Sequence, residues 1–125
     1  MDPSPETTAP ATDLSAQRSF ARFHEALLHI TRFMSPPLLE NPLDVATQRI
    51  EANPAFAQFR LLARLIAAIP RQQGEFRIEE ASVFDRNTLS LILSLIRVHE
   101  AGTSPPADWQ LAIDRTRSAQ LAFNA

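Results

Sequence analysis

The residues able to do chemistry are few, and their spacing limits what they can do. Three histidines, His24, His29 and His99, are the only imidazoles in 125 residues, and there is no cysteine. Without thiols the chain cannot form a disulfide, a thiolate nucleophile, a zinc–thiolate site or an iron–sulfur cluster. All 12 basic residues are arginine, which removes Schiff-base and phosphate-loop lysine chemistry as well. His24 and His29 stand five apart, which on a helix leaves their rings about 140° apart and unable to share an ion. Glu25 and His29 do share a face, but two ligands fall short of the three or four that a zinc or iron site needs. His99 falls within an apolar arc, where a general base could hide. It also falls in the last turn of its helix, where a protonated imidazole interacts favourably with free carbonyls. Glu79 and Glu80 are adjacent and so point to different helix faces. Gly74 and Gly102 are the only two glycines, too far apart for a dinucleotide or phosphate-loop fingerprint, and no G-x-S-x-G turn is present. The expectation is a protein with no catalytic residue, no metal site and no cofactor. A hydrolytic or metal-dependent enzyme is the most distant alternative.

Arginine is the one reactive group present in clusters. Arg18, Arg22 and Arg32 line one stripe of the first helical segment, and Arg60 and Arg64 stand one turn apart further on. Like charges four apart repel by a few tenths of a kcal/mol, roughly, unless an anion lies between them. These five form the expected anion-binding set. Their counterion would be an acidic partner, a nucleic-acid backbone or a carboxylate of the same chain. The whole-chain tally of 12 basic against 14 acidic residues, net −2, gives no general attraction to nucleic acid or membrane. The lysine-free composition reads as GC-rich coding, with action inside a host cell that marks lysines as the sharper alternative.

Positioning these side chains falls to segments of 3.6-residue periodicity. Residues 1–12 carry three prolines and no large apolar side chain after Met1, so they read as a disordered tail ahead of one domain over 13–125. The acidic, proline-broken start is unlike a secretory signal. The longest uncharged apolar run, Asn87 to Ile96, is about half of what crosses a bilayer. A cytoplasmic protein is expected. The first helix should start at Thr12 or Asp13, bury Ala16, Phe20, Phe23, Ala26, Leu27, Ile30, Phe33 and Met34, and stop at Ser35-Pro36-Pro37. Asn41-Pro42 and Asn53-Pro54 each place a capping side chain before a proline, predicting a short helix over 42–52 and a third running to Ile69. A polar turn at Arg71–Gly74 and one further turn around Phe76–Ile78 lead to a fourth helix. Ser82 and Asp85, in capping-box spacing, should start it, and Gly102 should end it. A fifth, about 106–122, buries Trp109, Ala112, Ile113, Thr116 and Ala119. The fold class is all-α, a compact bundle of four to five helices with a disordered N-terminal tail.

The third and fourth helices are apolar over most of their circumference. Two such helices cannot both be central in a small bundle, so Leu61, Leu65, Leu91, Leu95 and Val98 are expected to leave a surface patch. That patch would pair across a two-fold axis or receive an amphipathic helix. The functional expectation is a non-catalytic interaction or regulatory protein, adaptor- or chaperone-like, with another protein or a second copy of itself as partner. The rival is a helix-turn-helix DNA-binding regulator over Arg77–Leu93. Its recognition helix would have to offer Leu89, Leu91, Ile92 and Leu93 to base edges.

Overall fold

A computed structural model describes residues 8–32 and 39–124, with side chains over 14–32 and 39–123. Five α-helices and one 3-10 helix account for the described residues, with no strand among them: α1 (Thr8–Thr31), α2 (Pro42–Ala52), α3 (Ala57–Ala68), the 3-10 helix (Ile78–Val83), α4 (Arg86–Ala101) and α5 (Pro106–Asn124). The all-α bundle expected from periodicity is the architecture found.

The helix ends show where local chemistry decides. Of the expected disordered tail, residues 1–7 lie outside the described residues, and residues 8–12 are already helical. Pro10 is the third residue of α1, where its missing amide is one of those the first turn leaves unbonded anyway. The Ser35-Pro36-Pro37 stop also lies outside the described residues; α1 ends at Thr31, whose hydroxyl donates to the Leu27 carbonyl at 2.9 Å. α2 has the expected span, with Pro42 in its first turn. Asn41 contributes by adopting the left-handed conformation (φ 50°) and makes no side-chain cap hydrogen bond. Asn tolerates that region better than other residues do.

Asn53-Pro54 does not start α3. Asn53 closes α2 instead, its amide donating to the carbonyls of Arg49 and Ile50 at 3.1 and 3.2 Å, and its own carbonyl receives the Phe56 amide. α3 therefore begins at Ala57. The box expected at Ser82 forms instead five residues earlier, at Arg77, whose amide donates to Glu80 Oε1 at 2.8 Å and so opens the 3-10 helix. Asp85 is the true N-cap of α4, accepting the Thr88 amide at 2.8 Å, and Gly102 ends it at φ 67°.

One continuous core joins these elements. Phe23, Ile50, Leu62, Ile66, Leu91, Ile92 and Leu95 are fully buried, and every helix contributes to the cluster. α2 and α3 pack on both α4 and α5. The side of α4 that carries Ser90 and Ser94 is covered too. Ser94 Oγ donates to the Ser90 carbonyl and accepts the Leu39 amide, both at 3.0 Å, so the chain leading into α2 lies across it. α1 joins the core through Phe20, Phe23 and Leu27 and is tied to the segment before the 3-10 helix. There the Gly74 amide donates to the Ala16 carbonyl at 3.1 Å. The Ser19 hydroxyl accepts the Phe76 amide at 2.8 Å and donates to the Phe76 carbonyl at 3.1 Å. Phe76 then stacks on Phe23 with ring centroids 4.5 Å apart. Gly74 is required by this approach, since a Cβ there would stand 2.8 Å from the Phe76 ring.

Candidate functional site

The burial pattern relocates the expected apolar patch. Leu61, Leu65, Leu91 and Leu95 are core residues, at most 5% exposed, and Val98 is half-buried at the core's edge. The expectation that α3 and α4 could not both be enclosed is corrected. α1 with its tied segment, α2, α5 and the chain at Leu39 enclose the two between them, because the core is shared among all the elements and is not centred on one helix. The same burial bears on a DNA-reading arrangement. α4, the helix that would enter a groove, turns Leu89, Leu91, Ile92 and Ile96 into the core.

The arginines divide into two places. Arg18 and Arg22 lie exposed on α1, and Arg32 lies exposed in the turn just past its end. Arg60 and Arg64 come to a groove of about 270 Å³ between α3 and the end of α5, lined by Pro54, Ala55, Arg60, Arg64, Gln120 and Phe123. Arg64 is committed within the chain. It bridges to Glu80 at 2.9 Å, donates to the Glu75 carbonyl, and its guanidinium lies 4.9 Å from the centre of the Phe76 ring. Partial burial raises Glu80, but the Arg77 amide and the Arg64 guanidinium outweigh it and hold the carboxyl below the usual glutamate value. Arg60 is exposed and makes no ion pair among the described residues. It is the guanidinium of the groove left to face outward.

The opposite wall is Phe123. It continues the inward stripe of α5 that runs through Trp109, Ala112 and Thr116, yet its ring is 61% exposed. Phe56, 41% exposed, packs edge-on against Phe59 at the start of α3. An arginine without an intramolecular carboxylate thus shares a concave surface with an uncovered aromatic ring. That combination suits a chain segment carrying both a carboxylate and an apolar side chain. The one-turn spacing of Arg60 and Arg64 marks the arginine wall in the sequence, whereas the expected inward stripe of α5 ends at Ala119. Extending it by steps of three and four, from Thr116 through Gln120, arrives at Phe123.

Elsewhere, a shallow cleft of about 300 Å³ is lined by Phe20, His24, Gln72, Ile96, His99 and Glu100. It brings together two of the three histidines from helices far apart in sequence, an encounter no local spacing announces. His24 Nε2 is buried without a hydrogen-bond partner, and the His99 ring stands edge-on to Trp109 at 5.7 Å. His24 and His29 lie on different sides of α1, as their spacing requires. No three His, Asp or Glu side chains among the described residues converge to hold a metal ion. A second polar groove, between α2 and α5, holds Asp44, Thr47, Asp108 and Arg115. On the other side of Arg115, its Nε and a terminal amino group reach the two carboxylate oxygens of Glu51 at 3.1 and 2.7 Å, and that hydrogen bonding raises the Arg115 pKa. None of the described helices is long and apolar enough to cross a membrane. Compared with protein-family models, curated proteins and solved structures, the chain matches none.

Proposed function

We propose that this chain is a non-catalytic protein–protein interaction module whose α3–α5 groove docks an acidic segment of a partner protein. The observation that carries the reading is Arg60, exposed and without an ion-pair partner among the described residues, set across the groove from the exposed Phe123. Arg64 supports it by being fixed in place through Glu80 and Phe76, which orients the α3 wall without supplying an anion to Arg60. A partner carboxylate would pair with Arg60 while an adjacent apolar side chain covered Phe123.

A fluorescein-labelled peptide, Glu-Glu-Leu-Glu-Glu, tests this by anisotropy. Binding should weaken as salt rises from about 0.05 to 0.5 M. It should also fall by roughly fivefold to tenfold in Arg60→Gln and again in Phe123→Ala, with thermal stability unchanged. Peptide affinity indifferent to both substitutions, or no binding at low salt, would refute the reading. Pull-down from the native cell with mass spectrometry then identifies the partner.

A further inference from the structure

We propose that the outer face of α1 is a second interaction surface, built to pair with a second copy of this chain in antiparallel orientation. Leu14, Ala21 and Leu28 stand seven apart, and Arg18 and Glu25 follow the first two by four. On a helix these five occupy an arc of about 80°, opposite Phe20, Phe23 and Leu27. The structure leaves that arc open: Leu14 is 47% and Leu28 48% exposed, and Ala21, Arg18 and Glu25 are exposed between them. Neither Arg18 nor Glu25 has an ion-pair partner among the described residues. A seven-residue repeat with alternating steps of four and three is the seam along which two helices pack. Here one column of the seam is apolar and the other charged.

The order of charges selects the partner and its direction. A parallel, in-register copy would set Arg18 against Arg18 and Glu25 against Glu25. In an antiparallel copy related by an axis between Ala21 and Arg22, Arg18 lies level with the second copy's Glu25, and Glu25 with its Arg18. The same axis brings Leu14 within one residue's rise of the second copy's Leu28. The small Ala21 sits at the crossing, where it permits close approach of the backbones. Along these five positions the stripe is therefore complementary to itself when antiparallel. Arg22, at the flank of the seam beside the axis, comes within one residue's rise of the second copy's Arg22, a like-charge contact that loosens the pair. With a single helix per copy in contact, the interface falls below the ~1,200 Å² of stable complexes, and dissociation on the order of 10–100 µM is expected. The surface is separate from the α3–α5 groove, so the two readings stand or fall independently.

Sedimentation over about 5–500 µM, with circular dichroism as a check on folding, tests the pairing. The wild type should dimerise, Arg18→Glu and Glu25→Arg should each raise the dissociation constant by roughly tenfold, and the double swap should restore it. Because the chain contains no cysteine, orientation can be read directly. A mixture of Leu14→Cys and Leu28→Cys proteins should be joined by a short bis-maleimide. Neither should be joined to itself, since equivalent positions lie about 20 Å apart along an antiparallel pair. A wild type monomeric throughout the range, a double swap that fails to restore pairing, or cross-linking of either single variant to itself would each overturn the proposal.

Discussion

Asp85 shows how much a single carboxylate can decide. The Thr88 amide is the largest influence on it and, with the Thr88 and Gln58 side chains, holds its carboxyl below the ordinary aspartate value of 3.8. Gln58 also receives the Asp85 amide at 2.7 Å, so the residue that starts α4 is gripped by α3 as well. Asp85→Ala should cost about 1 kcal/mol in urea denaturation, and Asp85→Asn, which can still cap, only part of that. Glu80, whose ordinary value is 4.5, is lowered too. For both groups the folded state binds the proton less readily than the unfolded one. Their contribution is complete above the ordinary values and is lost as pH falls through the lowered folded values. Stability measured against pH should therefore decline on the acid side below about 4.5, and Glu80→Gln with Asp85→Asn should flatten that decline. A slope unchanged in the double variant would assign the acid sensitivity to other carboxylates.

Among the helices, α3 and α4 separate what periodicity can show from what it cannot. Leu65 and Leu91 are at most 1% exposed. Leu91→Glu or Leu65→Glu should therefore place an unpaired carboxylate in the core and abolish the cooperative helical melt. Soluble, folded protein from either variant would mean that these side chains face outward after all. The existence and type of all five α-helices, and the span of α2, were legible because apolar residues recur at 3.6-residue spacing between proline and glycine breaks. The enclosure of α4 was not. Ser90 and Ser94 looked like a solvent stripe, and nothing local says that Leu39 returns across them to donate to Ser94 Oγ. Nor does Asn53-Pro54 state which helix it serves, since the same residue can end one helix or begin the next and the tertiary path selects the first. Of the candidate groove, the arginine wall was legible from its one-turn spacing. The aromatic wall was not, because Phe123 lies on the inward stripe of α5 and periodicity alone does not say that its ring is left 61% exposed beside Arg60.

Seen whole, the molecule attaches its parts unequally. α2 and α3 pack on each other and on α4 and α5, whereas α1 packs chiefly on the 3-10 helix and is tied to the segment before it through Gly74 and Phe76. Amide exchange should accordingly be faster along α1 than in the central turns of α4, with α1 opening as a unit before global unfolding. Equal protection in the two helices would show that α1 is as integral as the others. An α1 that can loosen also bears on pairing through its outer face, because a second copy bound there would slow the same exchange as protein concentration rises.

The Ser19 hydroxyl gives the Phe76 peptide both an acceptor and a donor, as a neighbouring strand would. The irregular stretch from Gln73 to Arg77 contains Phe76 and leads directly to the exposed Ile78. Left with unpaired backbone groups, such a stretch would be an adhesive edge inviting extended segments of other molecules. Ser19 blunts that edge from the side of a helix. Its loss should therefore appear less in the melting temperature than in colloidal behaviour: Ser19→Ala, still helical, should scatter more light on prolonged warming than the wild type.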